Sequence, residues 1–286
     1  MSESGSRHVP FAGTNVVVNY DGAAAKSVVD FLYHDMPAHR SGNDEVVLAV
    51  ASPESEQYTM SRNGKELYTG QSPGALANLL VGETIYNLAD RSRGGLVFHA
   101  GAVSRDGAGV LLPGKTGAGK TTLTAWLVAR GLNYLTDELI YIETGASRFD
   151  AFTRPLNVKS AALPLLQDEF AIDPAEYGSL VCQQATLVPH RALNAQQHRE
   201  QPSLRLVVFP EYVRDASFRV ERLSPAQTGF RLMGCLVNAR NLAGHGFDEV
   251  ARLSRAVAAY SLQYSCFAQI ENDLLEILNS ELAADA

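Results

Sequence analysis

Apolar and polar positions repeat with two different periods along this chain, and the period switches between strand and helix several times. NVVVNY (15–20) is a β-branched run that reads as a strand, and AAAKSVVDFLYHDM (23–36) carries its apolar residues at helical spacing. VVLAVA (46–51) and QYTMSRNGKELYTG (57–70) read as strands, the second folded back at Asn63-Gly64, a pair that tolerates the positive φ of a tight hairpin turn. Pro73 opens a helix over GALANLLVGETIYNLADRS, because the donor it lacks is one the first helical turn leaves unused. Residues 1–14 are polar with two glycines and read as a loose tail. Together these elements predict a small N-terminal α/β lobe over 1–93, bounded by the RSRGG turn at 91–95.

The pattern changes after that turn. LVFHAGAVS (96–104) and AGVLLPG (108–114) are apolar runs separated only by Arg105, Asp106 and Gly107, which permits a hairpin and excludes a parallel crossover of a dozen or more residues. Leu123, Trp126 and Leu127 then mark the buried face of a helix that Gly131 can end. NYLT (133–136), LIYIE (139–143), RFDAF (148–152), SLRLVVFP (203–210), SFRVERL (217–223) and AYSLQYSC (259–266) read as strands. AQTGFRLMGCLVNAR (226–240), FDEVARLSRAVA (247–258) and ENDLLEILNSEL (271–282) read as helices. The expected second domain, 94–286, is therefore α/β with a mixed sheet.

Between the hairpin and the Trp126 helix lies GKTGAGKT (114–121), which fits GxxxxGK[ST]. Glycines in that pattern let consecutive backbone N–H groups converge on an anion, and the following helix presents its positive end. Gly114, Lys115, Thr116, Gly117, Ala118, Gly119, Lys120, Thr121 and Thr122 are the expected phosphate-binding residues. Lys120 is placed to reach the β and γ phosphates, and Thr121 to offer its hydroxyl to Mg²⁺. A carboxylate is needed to complete the metal site or accept a proton, and Asp137 and Glu138 follow the next strand, where ligand crevices lie in such sheets. Glu211, after LVVFP, is a weaker competitor, and His99 inside an apolar strand reads more readily as a satisfied core histidine than as a catalyst.

Bulk properties narrow the choice. With 286 residues and 46% hydrophobic content the chain has material for one large or two modest domains. A net charge of −7, with no basic stripe, argues against nucleic acid as a partner. MSESGSRHVPFAG lacks the layout of a signal peptide, and no apolar run approaches the roughly 20 residues that span a bilayer, so a cytoplasmic protein without membrane contact is expected. Cys182, Cys235 and Cys266 are far apart and are expected to be buried or inert thiols. No NKxD or LSGGQ motif is present, which disfavours GTP-specific and ABC-type proteins.

The segment HAGAVSRDGAGVLLPGKTGAGKTTLTAWLVARGLNYLTDEL (99–139) resembles the catalytic core of the HPr kinase/phosphorylase family, which carries a histidine, a phosphate loop and an acidic pair in this order. From His99 to Gly114 is 15 positions and from Lys120 to Asp137 is 17, both matching the family pattern. The resemblance covers about 95–142, weakens over the rest of the second domain and is absent from the N-terminal lobe. It implies a P-loop-containing mixed sheet of the HPr kinase/PEP carboxykinase type. It further implies ATP as donor, Asp137 as the base that takes a serine hydroxyl proton, Glu138 with Thr121 on Mg²⁺, and His99 and Lys120 assisting at the phosphates. Thr122 stands where the family has Glu, and Glu138 where it has Asp; RPLNVK (154–159) stands near the place of a glycine-rich signature and offers Arg154 or Lys159 to a phosphate. These departures are similar to diverged members that phosphorylate a serine on a peptide precursor, as in lasso-peptide pathways. A small-molecule or carboxykinase-like enzyme, a nucleotide-binding module without transfer, and a homo-oligomeric state all remain open on the residues.

Overall fold

Three pairs of adjacent residues with positive φ set three of the hairpins: Ala12-Gly13 (53° and 74°), Asn63-Gly64 (50° and 80°) and Asp106-Gly107 (52° and 76°). Consecutive left-handed residues give the turn whose twist matches paired strands. The computed structural model describes residues 3–37, 45–52, 57–170, 173–193 and 201–283. The chain divides into two compact units, Met1–Arg93 with Phe152–Ala195, and Gly94–Ala151 with Gln196–Ala286.

In the first unit β1 (Ser4–Phe11), β2 (Thr14–Asp21), β3 (Glu45–Ala51), β4 (Tyr58–Arg62) and β5 (Lys65–Gly70) form one sheet in that order. α1 (Ala23–Tyr33) lies between β2 and β3, which pair in parallel while the other described pairs of this sheet are antiparallel, and α2 (Pro73–Arg91) follows β5. Ser72 caps α2 by accepting from the Ala75 N–H, with Pro73 in the first turn. The Tyr33 and Thr84 hydroxyls share a buried hydrogen bond of 2.7 Å between the two helices. Residues 4–11, expected as part of a loose tail, are instead the edge strand β1. Only its inner end, Val9 to Phe11, is buried, so its polar outer half hides the alternation that marks a strand; Pro10 is tolerated because the strand has one neighbour.

The second unit begins with β6 (Gly95–Arg105), β7 (Ala108–Pro113), α3 (Lys120–Ala129), β8 (Asn133–Thr136), β9 (Leu139–Glu143) and the two-residue β10 (Asp150–Ala151). The expected strand over 148–152 is therefore mostly loop. The chain next contributes β11 (Leu156–Lys159), α4 (Leu163–Phe170), β12 (Leu180–Val181) and β13 (Ala185–Val188) to the first unit, where the three strands form a small antiparallel sheet. That corrects the expectation of a continuous domain over 94–286. Phe152 packs edge-on against Phe11 (5.7 Å, 77°), and α2 runs so close to β12 that a Cβ on Gly74 would lie 1.9 Å from the Val181 carbonyl oxygen.

Back in the second unit come β14 (Ser203–Tyr212), β15 (Arg219–Arg222), α5 (Pro225–Met233), α6 (Phe247–Ala256), β16 (Ala258–Tyr264) and α7 (Glu271–Leu282). The sheet runs β10-β9-β6-β7-β14-β16-β15, with β8 also paired to β6. β7, β14 and β16 are parallel; β6 and β15 are antiparallel to their neighbours, so the sheet is mixed. The helix expected over 226–240 stops at Met233. β7 ends at Pro113, opposite Ala100, and beyond that point the segment 235–238 takes the vacated edge of β6. His99 N–H donates to Cys235 O (2.9 Å) and Val237 N–H to Val97 O (2.9 Å). Fully buried Asn238 completes the edge, its Oδ1 accepting from Val97 N–H and its Nδ2 donating to Gly95 O, each at 2.9 Å.

Alternation along β6 separates two cores. Leu96, Phe98, Ala100 and Ala102 join Ile140, Val207 and Phe209 with Leu232 of α5 and Val250 and Leu253 of α6. α3 packs on β6, β7 and β8, close enough that a Cβ on Gly101 would lie 2.4 Å from Thr124 Oγ1. His99, two residues from Gly101, is on that same face. Among the described residues no helix is long and apolar enough to cross a membrane. Cys182 and Cys235 are half-buried free thiols and Cys266 is an exposed one.

Candidate active site

β7 ends at Pro113 and the loop 114–119 leads into α3 at Lys120. Gly117 and Gly119 both have φ 91°, a left-handed conformation that costs other residues about 1–2 kcal/mol. Ala118 N–H donates to Lys115 O (3.1 Å), which closes the turn, and Leu123 N–H to Gly119 O (2.9 Å), which starts the helix. Gly119 occupies the N-cap and offers no side-chain cap, nor is any acidic residue present in the first turn of α3. Helix-start N–H groups have no acceptor within the helix, so this end presents donors and a positive dipole to the loop. Lys115, Thr116 and Gly117 are exposed at the tip, while Gly114, Ala118, Gly119, Thr121 and Thr122 are half-buried.

Lys120 is buried, and its Nζ donates to Gly114 O (2.8 Å) and Lys115 O (3.2 Å), folding the ammonium back over the loop. Asp137, only 2% exposed, follows β8. Its Oδ2 accepts from Thr121 Oγ1 at 3.1 Å. The loop hydroxyl and the first acid, 16 positions apart in the chain, are thus in direct contact. Thr136 Oγ1 accepts from the Glu138 N–H (3.0 Å), fixing the turn on which both acids sit.

His99 lies beside the second acid. Its Nδ1 is 3.1 Å from the Glu138 carbonyl oxygen and 3.3 Å from Glu138 Oε1. A carbonyl oxygen only accepts, so the Nδ1 that faces it carries a proton. The backbone repeats the link, with Ala100 N–H donating to Glu138 O (3.0 Å). The structure therefore brings together the loop, Lys120, Thr121, Asp137, Glu138 and His99. Arg154 belongs to the first unit, where it is buried and donates to Pro155 O (3.2 Å). Glu211 is exposed at the end of β14.

Three neighbours of the site had no signal in the motif. Cys235 lies across the β6 edge from His99; burial pushes its thiol up, while Lys120 and Lys115 pull it the other way. Tyr212 N–H donates to Ala118 O (3.1 Å), so β14 ends against the loop. Tyr264, at the end of β16, is buried beside Gly119, and that burial pushes its hydroxyl pKa up. The register of three parallel strands brings in the two tyrosines and the open edge of β6 brings in Cys235, all from about a hundred positions or more downstream of the loop, and only the sheet pairing reveals them.

No family model matches the sequence, and no curated protein matches it. A solved structure of the HPr(Ser) kinase/phosphatase from Coxiella burnetii is similar to this chain at 13% identity and a TM-score of 0.29, over 63% of this chain and 97% of that one. A TM-score that low carries no argument. The mixed α/β architecture and the site stand on this chain's own residues.

Proposed function

We propose that this chain is a kinase that transfers the γ-phosphoryl group of ATP to a serine hydroxyl of a peptide or protein, in the cytoplasm. The observation that carries the reading is the 3.1 Å hydrogen bond from Thr121 to Asp137, which joins a phosphate-loop hydroxyl to a buried carboxylate. A module that only binds nucleotide can use such an acid on Mg²⁺, whereas transfer also calls for a carboxylate that takes a proton, and the adjacent pair Asp137 and Glu138 offers one acid for each role. Phosphoryl transfer asks little covalent chemistry of a protein; alignment and charge neutralisation suffice.

The residues fit a hard divalent cation. Thr121 Oγ1 and the Asp137 and Glu138 carboxylates are oxygen donors of the kind Mg²⁺ prefers. Among the described residues no three or more His, Cys, Asp or Glu form a cage that could hold a metal. Mg²⁺ shared with phosphates needs only one or two carboxylates. When bound, the ion supplies positive charge to the phosphate oxygens. Lys120 turns from the loop carbonyls to the phosphates, and the loop N–H groups orient them. A carboxylate takes the proton of the acceptor hydroxyl as the new P–O bond forms and the bond to the β-phosphate oxygen breaks, releasing ADP.

Which carboxylate takes that proton has two readings. The family resemblance makes Asp137 the base and Glu138 the metal acid. The Thr121 contact favours the exchange, with Asp137 beside the metal and Glu138, held against His99, as the base. Labelled ATP with Mg²⁺ and serine-bearing peptides separates them. If Asp137 is the base, Asp137→Asn loses transfer by about 10²–10⁴-fold with Mg²⁺·ATP binding kept. If Glu138 is the base, Glu138→Gln shows that pattern and Asp137→Asn weakens Mg²⁺-dependent binding instead. Lys120→Ala weakens phosphate binding in either case. Wild-type protein that binds ATP yet labels no hydroxyl acceptor would return the chain to the class of binding modules.

A further inference from the structure

The loop has two walls of different chemistry. β7 lies between β6 and β14. His99 comes from β6, and Asp137 and Glu138 from the turn between β8 and β9, strands that pair with β6. That wall is charged. The opposite wall, at the ends of β14 and β16, is aromatic. A Cβ on Gly119 would lie 3.2 Å from Tyr212 Cβ and 2.7 Å from Tyr264 Oη, so both tyrosines border the point where the loop enters α3.

Tyr212 ends a column of rings. It meets Tyr264 edge-on (5.9 Å, 73°), Tyr264 stacks with Phe267 (6.1 Å, 28°), and Phe267 stacks with Trp126 (5.4 Å, 18°). Tyr264, Phe267 and Trp126 are buried, but Tyr212 is 47% exposed. Its backbone is tied to Ala118 and its ring is braced at one edge, which leaves ring surface open beside the loop with little side-chain freedom left to lose on binding. A triphosphate whose terminal group lies at the acidic wall points its other end towards this aromatic one.

We infer that Tyr212 is the platform on which the nucleobase of the phosphoryl donor stacks. The inference rests on the reading of the loop as a triphosphate site. Stacking on an aromatic ring accepts any base, because each has a π face, and it grows with ring area. Stacking by itself selects by ring size. ATP and GTP bind alike, and CTP and UTP bind more weakly.

Calorimetric titration of wild type, Tyr212→Ala and Tyr212→Phe with ATP, GTP, CTP and inorganic tripolyphosphate, at fixed Mg²⁺, tests this. Tyr212→Ala lowers ATP affinity about tenfold or more and leaves tripolyphosphate affinity unchanged, while Tyr212→Phe binds both as wild type does. The platform is overturned if Tyr212→Ala binds ATP normally, if it loses ATP and tripolyphosphate equally, or if wild type holds ATP no better than tripolyphosphate. Wild-type protein that binds neither ATP nor tripolyphosphate sinks the triphosphate reading itself.

Discussion

Replacing each of the two left-handed loop glycines by alanine isolates a steric contact at the heart of the site. Gly117 and Gly119 share φ 91°, a positive φ at which alanine pays a backbone penalty of about 1–2 kcal/mol. Their surroundings differ. A Cβ at 117 meets nothing within 4 Å, whereas at 119 it would lie 2.7 Å from Tyr264 Oη and 3.2 Å from Tyr212 Cβ. Tyr264 Oη is the far end of a side chain, but its ring is 2% exposed and held between Tyr212 and Phe267, so it has little room to retreat. Overpacking of that kind costs about 1–3 kcal/mol. Gly119→Ala should therefore destabilise the second unit by about 2–5 kcal/mol and Gly117→Ala by about 1–2 kcal/mol. The chain has one tryptophan, and Trp126 is fully buried in α3, so its fluorescence in a urea titration reports this unit alone. Equal losses for the two variants, within about 0.5 kcal/mol, would refute the argument that the tyrosine wall closes on the loop.

Asn238→Ala removes the partners of Val97 N–H and Gly95 O, two backbone groups inside β6, and should cost about 2–5 kcal/mol in the same titration; a loss below about 1 kcal/mol means that the edge re-pairs without it. Tyr33 gives a pH signature in the first unit. Burial pushes its hydroxyl well above the usual tyrosine range, so the unfolded chain releases that proton first, near pH 10. The stabilisation is complete below about pH 10 and is lost as pH rises further, and Tyr33→Phe should flatten that decline in circular-dichroism melts. At neutral pH the same change costs about 0.5–1.5 kcal/mol, since Thr84 keeps its bond to Leu80 O.

Much of the site was legible because its residues are close in the chain and their chemistry is tied to spacing. GKTGAGKT needs its glycines for positive φ, and two of them have it. The Arg105-Asp106-Gly107 break forces the β6–β7 hairpin, and Asp137 could be placed by the strand that precedes it. The rest depended on pairing at a distance. Cys235, Tyr212 and Tyr264 reach the loop through strand register and through an edge that β7 leaves open, neither of which has a local pattern. The helix expected over 226–240 failed for the same reason: after Gly234 the backbone bonds to β6 instead of to itself. β1 was hidden by its polar outer half, and β11 to β13 are too short for alternation to show.

The path of the chain also limits how this protein can be dissected. It leaves the first unit at Arg93 and re-enters at Phe152, so the second unit is interrupted by a piece that belongs elsewhere. A fragment starting at Gly94 would carry 152–195 away from α2 and from Phe11, stripping Phe152 and β12 of the surfaces they cover. Neither half can be excised by a single cut, and fragments meant to stand alone need the intervening piece replaced by a short bridge rather than simply truncated.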